Sequence, residues 1–269
     1  MRLLQGYEVE IRNETHRANL LRDARYFHLK GLEQRLIACE KSYNSKSGRN
    51  EILIRLEDIR QSGISFTPGV DPYNPNPPSS TGYVLYARPY TDDATLNQIL
   101  VLETGSSECA ILHRSVVIPS NLDNVSLDAE VTFEGDTLRR VRALLKIIAA
   151  KVGLPSTQSL GLTQMKNEGP LDPTAGSGTA DGRLKARLTD NSALIVDGEA
   201  MDLERQRDHW LQVYGTFEHN VVKRAQWRIK IEPRSRDRED VVAVLEVVKM
   251  EVYTRELARN AARGFLGGA

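Results

Sequence analysis

Apolar positions near the start of the chain recur at the spacing of an amphipathic helix. They are Leu20, Leu21, Ala24, Phe27 and Leu32. Asn13 is suited to cap the first turn, and Gly31 interrupts the pattern. The pattern predicts two short helices, over 15–29 and 32–37. We expect the apolar stripe, with Phe27, to pack into a core.

Much of the remaining chain shows the alternation or the short apolar runs of β-strands. Strands are predicted over 51–56, 82–88, 98–103, 108–113, 129–134, 183–188, 193–196, 226–232 and 241–253. One apolar stripe with a helical period predicts a long amphipathic helix from Asp136 or Thr137 to Val152. Gly153 and Pro155 follow it in the order expected at a helix end.

Two stretches interrupt these elements. The first, 67–81, contains Pro68 and four further prolines, and the second, 161–182, is poor in apolar residues. Gly176–Gly182 superficially resembles a dinucleotide fingerprint, but the spacing is wrong by one residue, so a flexible linker is favoured. We predict a helical segment 1–40, a body 41–160, a flexible linker or loop 161–182, and a segment 183–269 that belongs to the same domain as 41–160.

The composition is that of an ordinary globular protein. The 269 residues are 40% hydrophobic and 27% charged. Lys plus Arg and Asp plus Glu number 36 each, so no global field attracts nucleic acid or an anionic membrane. Cys39 and Cys109 are far apart and form no C-x-x-C pair, which favours a reducing compartment over a disulfide framework.

The chain carries no pattern typical of secretion or membrane insertion. Met1–Gly6 has no apolar run of the signal-peptide kind, and the most apolar stretch, Val241–Val248, is too short to cross a bilayer as a helix. We therefore expect a cytoplasmic protein without a membrane span. No strong basic targeting run is present, so the nucleus stays open as the alternative compartment.

Motifs for catalysis, cofactors or metals do not occur in the sequence. There is no phosphate-binding loop and no nucleophile elbow, and none of the five histidines stands at metal-ligand spacing. We predict no catalytic residue, no metal and no cofactor. The alternative is an enzyme of unrecognised type in the β-rich body, with His113, His209 or His219 beside a carboxylate in a cleft.

Basic residues form two clusters. Arg139, Arg142 and Lys146 share one edge of the long helix, and a second cluster extends from Lys223 to Arg238. In a nucleic-acid-associated factor, such clusters would contact phosphates. Acidic residues interrupt the second cluster, and neither has interleaved aromatics for base stacking. We favour solvated surfaces and do not expect nucleic acid as a partner.

The segment Leu20–Leu32 resembles the helices that close a BTB domain of the potassium-channel tetramerisation type. The shared pattern is a Leu-rich turn, an acidic-Ala pair, two aromatics and a final Leu. Leu3–Tyr7 resembles the end of the preceding helix. A complete domain begins with a strand hairpin that does not precede Met1, so the resemblance implies an N-terminally truncated form that lacks most of the family's oligomerisation surface.

Further segments resemble a group of fungal BTB proteins. They are Arg60–Ile64, Tyr86–Pro89, Ala225–Arg228 and Ala258–Phe265. Yeast relatives of this group are implicated in growth control and stress response as regulatory partners of phosphatases. The resemblance therefore implies a protein partner, with a phosphatase or self-association as the candidates.

Together these patterns predict an α+β protein, in which the C-terminal helical hairpin of a BTB-like domain precedes a β-rich domain with one long amphipathic helix. The expected function is that of a non-catalytic adaptor or regulatory subunit. Arg22, Arg25 and Tyr26 are the candidate protein-contact residues, because they lie beside the apolar stripe of the first helix.

Overall fold

The computed structural model describes residues 11–69, 81–93, 98–105, 110–113, 126–154, 160, 183–189, 191–201, 220–233 and 241–253. The α-helices in this part of the chain are α1 (Glu14–Tyr26), α2 (Lys30–Leu36) and α3 (Gly135–Val152). Two short 3-10 helices occur at Leu56–Asp58 and Gln61–Gly63. The strands are β1 (Cys39–Asn44), β2 (Arg49–Arg55), β3 (Ile64–Phe66), β4 (Gly82–Tyr86), β5 (Ile99–Thr104), β6 (Ala110–His113), β7 (Ser126–Phe133), β8 (Arg183–Thr189), β9 (Ala193–Val196), β10 (Glu199–Met201), β11 (Asn220–Pro233) and β12 (Val241–Tyr253).

These strands form one mixed sheet. Most neighbours are antiparallel, but β2 with β5, and β12 with both β8 and β9, are parallel. One edge of β11 pairs with β12, and its other edge is shared by β6, β5 and β4. Because β6 continues through β7 and β8 back to β12, five of the strands pair in a closed circuit.

The sequences of β11 and β12 explain their place at the centre of the sheet. In β11, Trp227 and Ile229 are buried in the main core and alternate with polar residues. In β12, Val241–Val247 is buried at every position, which suits a strand covered on both faces. Register shifts next to Val222 and Gln226 interrupt the pairing of the two strands, and such irregularities increase the local twist of long strands.

Two aromatic rings meet inside the closed circuit. Trp227 on β11 and Phe133 on β7 pack edge to face, with ring centroids 6.1 Å apart. The Trp227 indole N–H donates to the Thr104 hydroxyl at 2.9 Å, so its polar atom is satisfied although the ring is fully buried. Since β11 and β7 are not neighbours in the sheet, this contact lies across the interior of the circuit.

The opposite face of β11 carries buried ion pairs. Arg228 donates to both carboxylate oxygens of Glu51, at 2.9 and 3.1 Å. The Tyr83 hydroxyl donates to Glu246 at 2.7 Å, and Lys230 Nζ lies 3.6 Å from the same carboxylate. These charges are removed from water, so each depends on its partner for compensation.

The α3 helix covers the main core next to β3 and β7. Its buried residues are Val141, Leu144, Leu145, Ile148 and Ala149. The helix ends at Gly153, whose φ of 83° lies in the left-handed region that glycine adopts without a steric penalty. This packing fixes the last turn of α3, and with it Lys151, at the surface.

The predicted α+β class is wrong. Among the described residues, strands predominate and form one large mixed sheet, so a BTB-like helical hairpin followed by a separate β-rich domain is not what the structure shows. Leu36 and Ile37, at the end of α2, are buried in the same core as the sheet, and β1 begins at Cys39. The helical spacing of apolar residues predicted α1 and α2, but it did not predict that these helices pack against the sheet.

The predicted domain boundaries at residues 40, 160 and 182 stay predictions. β5 and β11, which come from the two segments assigned to one domain, pair directly in the sheet. The predicted linker 161–182 lies outside the described residues, as does most of the proline-rich stretch 67–81.

Candidate protein-binding surface

The turn between α1 and α2, residues 27–29, has a geometry defined by its backbone. The Leu29 N–H donates to the Ala24 carbonyl at 2.9 Å, and the His28 N–H donates to the Arg25 carbonyl at 3.2 Å. His28 adopts a φ of 55°, the left-handed conformation that this type of helix ending requires. The direction in which the turn projects its side chains is therefore fixed.

Two aromatic side chains project from this turn into solvent. Tyr26 and Phe27 are 78% and 65% exposed, and their rings pack edge to face with centroids 5.1 Å apart. The prediction that Phe27 packs into a core is wrong, because Phe27 follows the last helical residue while Ala24 occupies the buried position. Tyr26 and Phe27 are called the aromatic pair below. Exposed aromatic side chains are enriched at protein interfaces.

Charged side chains join α1 to α2 and to the chain that follows β2. Arg25 donates to Glu33 and to Asp58, both at 3.1 Å, and Arg60 pairs with the same oxygen of Glu33. Burial raises the pKa of the Asp58 carboxyl above its usual value, Glu57 adds to this rise, and the Arg25 guanidinium opposes it. These ion pairs connect the end of α1 to α2 and to the 3-10 helices, and so hold the turn in place.

The three contact residues predicted from the sequence have different surroundings. The Arg22 side chain is 76% exposed, with its Nε 3.7 Å from Asp23. Tyr26 lies four residues later on α1, so both share one helix face. Arg25 is held between two carboxylates and positions the turn. The role of all three in partner contact stays a prediction.

An open cleft of about 530 Å³ lies beside the turn, between α2, the second 3-10 helix, the loop after β4 and the end of α3. Lys30, Arg60 and Lys151 line it together with one carboxylate, Glu33. Glu33 already pairs with Arg25 and Arg60. Within the described ranges, no carboxylate pairs with Lys30 or Lys151. We call this feature the basic cleft.

The loop after β4 places an aromatic ring at the edge of the basic cleft. Tyr90 is 70% exposed, and its φ of 65° reflects a tight turn. Asp92 closes this loop, because its carboxylate accepts from the Arg88 guanidinium and from Lys41 Nζ, each at 2.9 Å. Burial raises the pKa of Asp92, but these hydrogen bonds outweigh it and hold the pKa well below its usual value.

We expect Asp92→Asn to lower the free energy of unfolding by about 2 kcal/mol at about pH 7, since hydrogen bonds to charged groups contribute roughly 1.5–3 kcal/mol. The pKa of Asp92 is lower in the folded than in the unfolded chain, so its stabilisation is present above about pH 4 and is lost as the pH falls further. Urea unfolding of both proteins at about pH 7 and about pH 2.5 measures the difference. A difference that does not shrink at the lower pH would contradict this account.

Gln34 lines the basic cleft and has a buried polar atom without a hydrogen-bond partner. The residue is 2% exposed, and its amide oxygen has no hydrogen-bond partner. Buried polar groups are nearly always paired in folded proteins, so an unpaired one calls for an explanation. Its place in the lining of the cleft makes ligand binding one such explanation.

We expect Gln34→Met to raise the free energy of unfolding by about 1 kcal/mol, because a buried polar group without a partner costs roughly 1–3 kcal/mol. Gln226→Met is the matched control. The Gln226 amide donates to Glu103 at 3.2 Å, so its replacement should lower the free energy of unfolding. Chemical denaturation of both variants gives these values, and a destabilised Gln34→Met would argue that the amide is paired.

The described residues provide no metal cluster: no group of three or more His, Cys, Asp or Glu side chains among them could hold an ion. His209 and His219 lie outside the described part, and so does the side chain of His113. Cys39 is a free thiol at an intermediate degree of burial. The enzyme alternative therefore depends on residues that the structure does not describe.

The basic clusters considered for nucleic-acid binding are partly engaged in ion pairs. Arg224 pairs with Glu103, and Arg228 is buried against Glu51. On α3, Arg139 pairs with the exposed Asp136. These contacts compensate charges that a phosphate-binding surface would leave available.

Comparison with known proteins gives one short match. It links 64 residues, at 38% identity, to the uncharacterized protein YDR132C of Saccharomyces cerevisiae. The match spans 24% of this chain and only 13% of that protein. No family model and no solved structure matches the chain. The BTB resemblance is therefore neither supported nor contradicted, and it stays a prediction.

Among the described residues, none of the helices combines the length and the apolar character that crossing a bilayer requires. The longest, α3, has 18 residues and carries charged side chains along one side.

Proposed function

We propose that this chain is a non-catalytic protein-interaction component, and that the aromatic pair on the α1–α2 turn is its contact surface. The observation that carries the proposal is the exposure of Tyr26 and Phe27 on a turn that hydrogen bonds and ion pairs hold in place. A preorganised surface loses little conformational entropy on binding, and aromatic side chains dominate the energy of many interfaces.

The charges around the aromatic pair favour an acidic partner over a second copy of the chain. Lys30, which follows the turn, has no carboxylate partner among the described residues, and Arg22 is exposed on α1 beside Asp23, which is exposed as well. A symmetric contact between two copies through this surface would bring these cations together. Like charges at an interface are unfavourable, whereas an acidic partner would be attracted.

The cellular role, the kind of partner and the compartment are proposed from the BTB resemblance. It implies a regulatory role in growth or stress response, with a phosphatase as a candidate partner, in the cytoplasm or the nucleus. The match to YDR132C adds no function, because that protein is described as uncharacterized. The identity of the partner is thus a prediction from the segments that resemble fungal BTB proteins, such as Arg60–Ile64 and Ala225–Arg228.

The double variant Tyr26→Ser/Phe27→Ser tests the proposal in extracts of the cells that produce the chain. We expect the wild-type chain to elute from a sizing column in a complex much larger than the free chain. The double variant should elute as the free chain, because both contacts are removed. Tyr43→Ser is the matched control, since Tyr43 is 66% exposed on β1 and lies outside the turn.

The proposal requires that the control keeps the complex while the double variant loses it. Circular dichroism should give the same spectrum for all three proteins, because the replaced side chains are exposed. Elution of the wild-type chain at the size of the free chain would contradict the proposal. If the double variant still forms the complex, the contact surface lies elsewhere than on the turn.

A further inference from the structure

The basic cleft suggests what part of a partner this chain recognises. We infer that it binds a carboxylate-rich peptide segment of the partner, an inference that rests on the proposed function. Lys30, Arg60 and Lys151 come from three separate elements and converge on one volume of about 530 Å³. That size lies in the range of built ligand sites.

The charge balance of the cleft favours an anion. Glu33 is the carboxylate in its lining, and two guanidinium groups already neutralise it. The ammonium groups of Lys30 and Lys151 have no carboxylate partner among the described side chains. Two uncompensated cations that face one cleft attract carboxylates and disfavour a basic ligand.

Gln34 favours a peptide over a simple anion. Its amide oxygen is an acceptor, and a fully ionised carboxylate or phosphate has no proton to donate to it. A peptide supplies both groups, since its side chains carry carboxylates and its backbone carries N–H donors. The oxygen is buried in the free chain, so the amide would turn towards the cleft when the peptide binds.

The edge of the cleft offers an apolar contact next to these charges. Tyr90 is exposed there, and its Cβ lies 3.9 Å from the position that a Cβ on Gly31 would occupy. The cleft thus adjoins the start of α2, three residues beyond Phe27. One extended segment with acidic and apolar residues could contact the cleft and the aromatic pair together. Among the described lining residues of the cleft itself, Tyr90 is the only aromatic one, whereas base-stacking surfaces of single-stranded nucleic-acid sites use several.

The test is fluorescence anisotropy with fluorescein-labelled hexaglutamate, and with hexaglutamine as the uncharged probe, at low salt. We expect the wild-type chain to bind hexaglutamate at least tenfold more tightly than hexaglutamine. Lys30→Met/Lys151→Met should weaken hexaglutamate binding at least tenfold. Lys223→Met/Lys249→Met removes the same charge from exposed positions on β11 and β12, and should change the affinity less than twofold.

Two further measurements separate the alternatives. Gln34→Met should weaken hexaglutamate binding about threefold. An affinity equal to that of the wild-type chain would show that the Gln34 amide does not contact the peptide. Inorganic phosphate and a decathymidine oligonucleotide serve as competitors. Displacement of hexaglutamate by either at a concentration below that of unlabelled hexaglutamate would overturn the peptide assignment in favour of a phosphate or nucleic-acid site.

The cleft and the proposed function fail in different ways. Equal affinities of the two lysine double variants for hexaglutamate would overturn the cleft assignment. If the cellular complex still depends on the aromatic pair in that case, the proposed function stands without the cleft. If the cellular complex is absent as well, both fail.

Discussion

Replacement of Arg228 by methionine should lower the free energy of unfolding by about 3–5 kcal/mol, the usual cost of breaking a buried ion pair. The Arg228 and Glu51 side chains are only 8% and 7% exposed, and two hydrogen bonds join them. Methionine fills a similar volume but leaves the Glu51 carboxylate without its cation. Among the described residues, the Asn44 amide also donates to that carboxylate, at 2.8 Å.

Two controls make this result specific. Arg183→Met removes a more exposed strand arginine that pairs with Glu130 at 3.3 Å, and should cost about 1 kcal/mol or less. The double variant Glu51→Gln/Arg228→Met should recover part of the loss, because it removes the unpaired charge as well. Urea denaturation measures all three. Equal losses for Arg183→Met and Arg228→Met would contradict the burial of the Arg228 pair.

The second large effect is expected at Trp227. Its ring is fully buried between the strands of the closed circuit, against Phe133. Trp227→Ala should lower the free energy of unfolding by about 3–5 kcal/mol, since a cavity remains and the indole contacts are lost. It also removes the hydrogen bond to the Thr104 hydroxyl. Such a loss is a large share of a typical stability of about 5–15 kcal/mol.

Thermal and urea unfolding of Trp227→Ala, Trp227→Phe and Tyr43→Ala check this prediction. Trp227→Phe keeps an aromatic ring and should lose less than Trp227→Ala. Tyr43→Ala removes an exposed ring and should change the free energy of unfolding by less than about 0.5 kcal/mol. A small effect of Trp227→Ala would mean that the strands do not close around this side chain.

Local patterns predicted several elements because their determinants are local. The alternation over 226–232 lies within β11, and the apolar stripe that ends at Val152 lies within α3. The order in which the strands pair could not be predicted from local patterns. It depends on contacts between distant residues, such as that of Arg228 with Glu51, which are 177 residues apart. The α+β prediction failed for the same reason, since a helical pattern does not specify the sheet that it covers.

The candidate surface shows the same limit. Arg22, Arg25 and Tyr26 could be singled out because they share one helix with an apolar stripe. No local pattern indicated that Arg25 pairs with Asp58, or that Lys151 lines the same cleft as Lys30. The one local signal that was missed is the position of Phe27 at the end of α1, where a left-handed His28 turns the chain outward.

The most direct test of the central claim is photo-crosslinking from the turn in living cells. p-Benzoylphenylalanine would replace Tyr26 in one protein and Tyr43 in the control, both of which are exposed. We predict a single discrete adduct with another protein from position 26 and none from position 43. No adduct from position 26, or an adduct of twice the mass of the chain, would contradict a contact with a different protein through the aromatic pair.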